Sequence, residues 1–330
     1  MKIENSIGWC DETTNAVTGC DKVSPGCKNC YAATGTRARV LRAQGIETWG
    51  ENGSRMPVAG MPEKLRRLNK LCVCGACRTG YQLDSYNAQV NACDKNLSKP
   101  PGAPYRCQGK LRRIRLFADS NSDWLDPKWP VAVLANFLNE IRLAPNVDVL
   151  LLTKRPENFR ERLTAVKKFI DDPKANGNDG YIQFCFVSNW LEGRPPTNTW
   201  LGVSVENQKC ADERIPELLK ITAAVRFLSC EPLLEELSFE GKRLEWLAPF
   251  KETDADLNRT PRVDWVIVGG ESGKDRRDCG VGAIVNVAEQ CHAADVPVYV
   301  KQDCAFKSGQ QGRIPDAIWA LKQFPSGRGA

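Results

Sequence analysis

Three cysteines near the start of the chain have a spacing typical of a metal site. They are Cys20, Cys27 and Cys30, arranged as C-x6-C-x2-C around a Pro25–Gly26 turn. We expect a loop here, followed by a helix that begins near Tyr31. Three thiolates on one loop can bind three irons of a four-iron cluster and leave the fourth iron open to a substrate or cofactor. The alternatives are a zinc site completed by a fourth cysteine, and buried cysteines that bind no metal.

A second group of cysteines lies in residues 71–110, which are rich in Cys, Pro, Asn and Gly and have no helical period. Its members are Cys72, Cys74, Cys77, Cys93 and Cys107. A loop-rich insertion of this size buries little core, so we expect a second metal to stabilise it. Four of these thiolates would complete a zinc site or an auxiliary iron–sulfur cluster. Free thiols are the alternative.

The amino-acid counts limit the chemistry further. The chain has 330 residues, with 15 cysteines and one histidine, His292. One histidine excludes a multi-histidine metal site, and an odd number of cysteines cannot all pair within one chain. The sequence has no apolar run of about 18 residues and no start resembling a signal peptide. We therefore expect a cytoplasmic protein of one domain, residues 1–330, with reduced thiols and no membrane association.

Positive charge is concentrated in residues 62–115. This segment has 12 Lys or Arg against 3 Asp or Glu, a balance of +9, whereas the whole chain carries +6. Tyr81, Tyr86 and Tyr105 lie among these charges. A local basic patch with aromatic residues is typical of a nucleic-acid interface. The alternative is a basic lobe whose charges are solvated or paired with acidic residues elsewhere.

Six short apolar runs indicate the elements that position these residues. The runs are Arg113–Ala118, Val147–Leu152, Thr199–Val205, Ala224–Leu228, Asp264–Val268 and Pro297–Lys301. Near-continuous apolar strands predict a parallel sheet, and helical spacing between them predicts an α/β fold. We expect a partial or complete (β/α) TIM-type barrel, with an open doubly wound sheet as the alternative. Residues 171–198 are interpreted as a second loop-rich insertion.

Polar residues follow almost every predicted strand, where a barrel places its chemistry. Those assigned to cofactor binding are Lys154, Ser204, Glu206, Asn207, Gly269, Gly270, Glu271 and Lys301; the others are Asp119, Ser120, Asp123, Thr153, Arg155, Glu231 and Gln302. We expect most of them to line one pocket. Glycines admit close backbone approach, carboxylates accept from amino or hydroxyl groups, and lysines neutralise a carboxylate or phosphate. The alternative is that some cap the next helix, as Ser120 and Asp123 could near Pro127. No single catalytic residue emerges.

Several ordered motifs resemble a known family. They are TTNAVTGCDKVSPGCKNCYA, RIRLFADSNSDW, VLLLTKRPENF, TWLGVSVENQKCADERIPELL, AAVRFLSCEPLL, VDWVIVGGESG and VPVYVKQ. Together they cover most of the chain outside the two insertions. The sequence is similar to the phage and prophage three-cysteine-motif proteins, a family of unknown function regarded as radical-SAM-like.

This resemblance implies a radical-SAM-type (β/α) barrel with a four-iron cluster after the first strand. It also implies S-adenosylmethionine at the open iron and an external electron donor. We therefore expect an iron–sulfur enzyme of phage or prophage origin that modifies a nucleotide or nucleic acid. The expected substrate class depends on the basic segment alone. The alternatives are a non-catalytic, metal-stabilised nucleic-acid-binding protein and a cluster protein that acts as electron carrier or sensor.

Overall fold

The computed structural model describes residues 7–74, 80–82, 111–172, 180–247 and 261–325. Its strands are β1 (Glu12–Thr14), β2 (Val17–Thr18), β3 (Met56–Pro57), β4 (Leu71–Cys74), β5 (Gly80–Gln82), β6 (Leu111–Arg112), β7 (Ile114–Ala118), β8 (Val147–Thr153), β9 (Thr199–Ser204), β10 (Val225–Cys230), β11 (Trp265–Gly269) and β12 (Val298–Gln302). Its helices are α1 (Tyr31–Thr34), α2 (Thr36–Ala43), α3 (Met61–Leu68), α4 (Val131–Arg142), α5 (Phe159–Asp171), α6 (Gly180–Leu191), α7 (Gln208–Leu219), α8 (Leu244–Leu247), α9 (Val281–Ala293) and α10 (Asp316–Trp319).

Seven parallel strands form one curled sheet. Their order is β1-β7-β8-β9-β10-β11-β12, and neighbouring strands pair in parallel register throughout. The order follows the chain without the reversal that marks a doubly wound sheet, and the sheet curls into a half-barrel. The expected α/β class and partial barrel are confirmed. All six predicted apolar runs are strands, whereas β1 was not predicted.

The two faces of the sheet bury different residues. Outward-facing side chains such as Leu116, Val149 and Val266 form the larger core with the helices that follow the strands. Inward-facing side chains such as Phe117 and Ile267 form a second, aromatic-rich cluster on the concave face. Because both faces are buried, the strand sequences lack the apolar–polar alternation of a half-exposed sheet.

Trp9 packs against the concave face of the sheet. Its ring is 1% exposed and lies 4.7 Å from the Phe117 ring, 6.4 Å from that of Phe227 and 6.2 Å from that of Trp265. Aromatic rings at such separations pack edge-on or tilted and fill space efficiently. These aromatic rings therefore fill part of the hollow of the half-barrel.

Residues 171–198, interpreted from the sequence as a loop-rich insertion, contain the helix α6. This helix packs against α5. The Trp190 ring stacks 6.2 Å from that of Trp124, and its indole nitrogen donates to the carbonyl of Thr222 at 2.8 Å. The segment is thus part of the helical layer behind β8 and β9.

Residues 71–110 contribute β4 and β5 to a small antiparallel sheet with the order β5-β4-β6. Cys72 is buried there, and burial raises the pKa of its thiol. Cys77, Cys93, Cys107, Tyr86 and Tyr105 lie outside the described residues, so the second metal site stays a prediction. Within the part of the chain that the structure describes, no helix combines the length and apolar character needed to cross a membrane.

Candidate functional site

A pocket of about 550 Å³ lies at the carboxyl ends of the half-barrel strands. Cys20, Cys27 and Cys30 all line it. So do ten of the polar strand-end residues: Asp119, Ser120, Asp123, Lys154, Ser204, Glu231, Gly270, Glu271, Lys301 and Gln302. A recess of this volume suits a small molecule or cofactor. The structure therefore brings the thiols and the predicted polar residues to one place.

The three cysteines lie on the loop between β2 and α1. Cys20 follows β2 and bridges to Trp49, Cys27 ends a 3-10 turn that starts at Pro25, and Cys30 immediately precedes Tyr31 of α1. Cys27 is buried, and the other two are partly exposed. The loop and the start of the helix agree with the sequence prediction.

Burial keeps two of these thiols protonated when no metal is bound. Burial raises the pKa of Cys20 to about 12, although the Arg155 guanidinium lowers it in part. Burial also raises the pKa of Cys30. Arg155 Nη1 lies 3.8 Å from Cys20 Sγ and is anchored by Asp123 at 2.9 Å. A metal that binds here would displace the thiol protons, and Arg155 would offset part of the resulting negative charge.

The three sulfur atoms of Cys20, Cys27 and Cys30 do not all lie within 4.8 Å of one another. In the described part of the chain, one group of three or more metal-ligating side chains meets that distance, and it consists of Asp278, Cys279 and Cys304. Ligands of a cluster bind separate metal atoms, and so they lie farther apart than ligands of one ion. The arrangement is compatible with a cluster, and the choice between a cluster and zinc stays a prediction.

Glu206 supports the loop of residues 20–30, here called the three-cysteine loop, through Ser24 and Gly26. Its side chain is fully buried, accepts from Ser24 Oγ at 2.7 Å and pairs with Lys154 and with Arg214 Nη1 at 2.8 Å. A Cβ on Gly26 would lie 2.5 Å from Glu206 Cγ, so only glycine permits this approach. Burial alone would raise the pKa of Glu206, but Lys154 and Arg214 lower it to about 2. The structure gives this carboxylate a positioning role behind the pocket wall.

Asn207 and Gly269 also lie outside the pocket lining. The Asn207 side chain caps α7 by accepting from the Cys210 amide at 2.9 Å. The Gly269 carbonyl accepts from the Leu233 amide at 2.9 Å. At Gly270 a Cβ would lie 2.6 Å from the Cys304 amide nitrogen, so this glycine makes room for Cys304. The glycine pair thus serves packing between strand ends, and the expected close approach of a ligand is not its evident use.

Asp123 connects the ends of β7 and β8. It accepts from Thr153 Oγ1 at 2.7 Å, from the Lys154 amide at 2.9 Å and from Arg155. The helix that Ser120 and Asp123 were considered to cap begins later, at Val131, with Pro130 as its cap residue. The capping of a helix near Pro127 by Ser120 and Asp123 is therefore wrong, and the Asp123 carboxylate is used within the strand-end network, whereas Asn207 does cap its helix.

Glu231 and Lys301 form an ion pair at the floor of the pocket. Lys301 Nζ lies 2.6 Å from Glu231 Oε2, and Trp9 Nε1 donates to Glu231 Oε1 at 2.8 Å. Both charged residues line the pocket. Trp9 was not predicted as a site residue, because it precedes the first strand and no motif marks it. The pair presents a hydrogen-bond acceptor and a donor to a bound molecule.

Glu271 joins the loop after β11 to the three-cysteine loop. It accepts from Arg277 Nη2 at 2.6 Å and from Asn29 Nδ2 at 3.1 Å. Arg277 Nη1 also donates to the Pro25 carbonyl at 2.9 Å. Burial would raise the pKa of Glu271, but hydrogen bonds from Arg277 lower it. The carboxylate predicted to accept from a ligand amino group therefore already has two protein partners.

Asp119 is an unusual carboxyl group on the pocket wall. Its backbone has φ +60°, and its Oδ1 accepts from the amides of Ala16 and Val17 at 2.9 and 3.2 Å. Its Oδ2 is buried and has no hydrogen-bond partner among the residues that the structure describes. Burial raises the pKa of Asp119 to about 7. At neutral pH this group exchanges a proton readily, which is the property required of an acid–base group.

Four of the described arginines of the basic segment have acidic partners. Arg112 Nη1 lies 2.6 Å from Asp11, and Arg113 Nη1 lies 3.4 Å from Asp148. Arg66 and Arg67 approach Glu140 and Glu12 at 3.4 and 4.0 Å. This agrees with the alternative of paired charges. The remaining charges of residues 83–110 lie outside the described residues, and the nucleic-acid interface stays a prediction.

The fold and the site define an α/β half-barrel protein with a thiol-lined pocket at the carboxyl ends of its strands. A family model described as "Protein of unknown function (DUF5131)" matches residues 4–316. The chain belongs to this family. No curated protein and no solved structure matches it.

Proposed function

We propose that this chain is an iron–sulfur enzyme with radical-SAM-like chemistry. In this proposal Cys20, Cys27 and Cys30 would hold a four-iron cluster beside the pocket. The observation that carries the proposal is the convergence of three thiols on a pocket at the strand ends of a parallel half-barrel. The resemblance to three-cysteine-motif proteins supports the same chemistry and a phage or prophage origin.

The donor set fits such a cluster. Three sulfur ligands and no histidine are what an iron–sulfur cluster uses. Arg155 lies close enough to Cys20 to balance part of the negative charge of bound thiolates. Ser24 and Gly26 rest on the fully buried Glu206, so the loop that carries the thiols is fixed before a metal binds. A preorganised loop lowers the entropic cost of binding.

When bound, a cluster with an open iron supplies the electron that cleaves S-adenosylmethionine to a radical that abstracts hydrogen from a C–H bond. The chain's own residues bind and shield the reactants. Lys154 and Lys301 place positive charge on the pocket wall, where a carboxylate or phosphate binds. Trp9 and Phe117 keep water from the floor. The Glu231–Lys301 pair offers a hydrogen-bond acceptor and a donor, and Asp119 supplies a group that exchanges a proton near neutral pH.

We propose a nucleotide or nucleic acid as the substrate, supported by the +9 balance of residues 62–115. The ion pairs of Arg66, Arg67, Arg112 and Arg113 weaken this support in the described part of the segment. Because these four arginines are paired, the positive charges that would contact a phosphate backbone are mainly those of residues 75–79 and 83–110. Affinity for an oligonucleotide should fall steeply with salt if they do so.

The decisive experiment measures iron, sulfide and S-adenosylmethionine cleavage in protein purified without oxygen. We expect replacement of Cys20, Cys27 and Cys30 by alanine to remove about four irons per chain. The control replaces Cys185 and Cys291, which lie on α6 and α9 and do not line the pocket, and should retain the iron. Equal iron content in the triple variant and in the control would refute the cluster. If the protein contains the cluster but releases no 5′-deoxyadenosine under reducing conditions, it acts as an electron carrier or sensor and not as a radical enzyme.

A further inference from the structure

Two thiols outside the three-cysteine loop lie in direct contact. Cys279 belongs to the loop between β11 and α9, and Cys304 follows β12 by two residues. Their Sγ atoms are 3.6 Å apart, and both side chains are reduced and partly exposed. Bringing two sulfurs to bonding distance from there requires a movement of about 1.5 Å. Both cysteines lie in loops, which accommodate such a shift more easily than strands.

The surroundings distinguish the two sulfurs chemically. A hydrogen bond from the Cys279 thiol, together with the backbone N–H groups of Cys279 and Glu271, lowers the pKa of Cys304 despite its partial burial. The same hydrogen bond, followed by burial, raises the pKa of Cys279. Cys304 is therefore the sulfur that loses its proton more readily, although the Asp278 carboxylate opposes this, and Cys279 is the neighbouring thiol. This is the division of roles found in pairs that undergo thiol–disulfide exchange.

Asp278 lies beside the pair and raises the alternative of a metal site. Its two carboxylate oxygens each accept from Arg313 at 2.8 Å, and one also accepts from the Gly280 amide at 2.9 Å. Arg313 further donates to Asp303 at 2.8 Å. A guanidinium already neutralises this carboxylate, so a second cation would meet repulsion at the same place. The dithiol is the better-supported reactive group.

We propose that Cys279 and Cys304 form a thiol–disulfide exchange site for small-molecule disulfides of the oxidised-glutathione class. The Cys304 thiolate attacks one sulfur of the disulfide, which forms a mixed disulfide and releases one thiolate. Cys279 then loses its proton to solvent and attacks the Cys304 sulfur, which forms the intramolecular bond and releases the second thiolate. The protein dithiol loses two electrons, and the small disulfide gains them as two thiols.

The location links this bond to the pocket. The loop that carries Cys279 also carries Arg277, which donates to the Pro25 carbonyl at 2.9 Å, and Asp275, whose carbonyl accepts from Asn29 Nδ2 at 2.7 Å. Cys304 follows the strand that carries Lys301 of the pocket floor. A disulfide would therefore fasten the loop that contacts the three-cysteine loop to the end of β12. This inference does not depend on the proposed enzymatic activity.

The test uses intact protein purified without oxygen and mixtures of oxidised and reduced glutathione, followed by alkylation and peptide mass mapping. The wild type should form a Cys279–Cys304 bond. Cys279→Ser should stop at a glutathione adduct on Cys304, and Cys304→Ser should react at Cys279 at least about tenfold more slowly. Cys185→Ser, which alters a partly exposed cysteine on α6, should behave as the wild type.

Three results would overturn the proposal. The first is the absence of a Cys279–Cys304 bond in the oxidised wild type, and the second is equal reactivity of the two serine variants. The third is one equivalent of zinc in the purified protein that is absent from Cys279→Ser, which would make the group a metal site. Iron content should be the same in all these proteins, so failure here is distinguishable from failure of the cluster proposal.

Discussion

Replacing Glu206 by glutamine tests how the three-cysteine loop is held. The carboxylate is fully buried between Lys154 and Arg214, which are themselves only 20% and 8% exposed. Glutamine keeps the shape and can still accept from Ser24. It removes the negative charge, however, and leaves two largely buried cations without their partner. The variant therefore isolates the electrostatic part of the contact.

The size of the effect follows from the titration of this group. Although burial opposes it, the attraction of Lys154 and Arg214 lowers the pKa of Glu206 from an ordinary 4.5 to about 2. At about 1.4 kcal/mol for each tenfold change, this difference corresponds to roughly 3 kcal/mol of folding free energy at neutral pH. Because the folded-state pKa is the lower one, the stabilisation is complete above about pH 4.5 and is lost as the pH falls towards 2.

The assay compares urea unfolding midpoints of wild type and Glu206→Gln at equal metal content, at pH 7 and at several acidic values. We expect a loss of about 3 kcal/mol at pH 7 that shrinks as the pH falls below 4.5. Glu213→Gln is the matched control. Its side chain is 59% exposed and pairs with Lys209, which is 80% exposed, so the loss of this pair should cost less than about 0.5 kcal/mol. A loss below about 1 kcal/mol, or one that is the same at every pH, would refute the reasoning.

Two further variants test the pocket wall. Burial raises the pKa of Asp119 from 3.8 to about 7, so the free energy of unfolding of the wild type should fall as the pH rises between these values. Asp119→Asn should remove this fall in stability. Urea midpoints that decrease equally in both proteins across that pH range would contradict the prediction. Gly270→Ala places a Cβ 2.6 Å from the Cys304 amide nitrogen and should cost about 1–3 kcal/mol. Gly282→Ala, at an open position in α9, should gain about 0.5–1 kcal/mol, and equal midpoints for the two alanine variants would count against the packing argument.

The strands of the half-barrel were predictable because their burial leaves a clear pattern. Runs such as Val147–Leu152 are apolar at nearly every position, since one face meets helices and the other meets the concave cluster. β1 has only three residues, Glu12–Thr14, and carries no such pattern. The helix α6 was missed because flanking Gly, Asn and Pro residues conceal the helical spacing of Val187, Trp190 and Leu191.

The location of the pocket was predictable from the sequence, whereas the hydrogen-bond partners of the residues around it were not. Parallel strands end at one edge, so polar strand-end residues converge there. Glu206 and Asn207 are neighbours in sequence, yet one supports the three-cysteine loop and the other caps α7. Glu206 meets Ser24 across 182 positions of the chain. Contacts over such distances depend on the curl of the sheet, and residue spacing does not encode them.

The aromatic cluster formed by Trp9 with Phe117, Phe227 and Trp265 packs the concave face of the half-barrel, and Trp9 and Phe117 line the pocket. Trp9 also donates to Glu231, the partner of Lys301. A molecule bound against the two rings would therefore exclude water from this ion pair. We expect a ligand of the pocket to place an apolar face against Trp9 and Phe117 and its polar groups towards the strand ends.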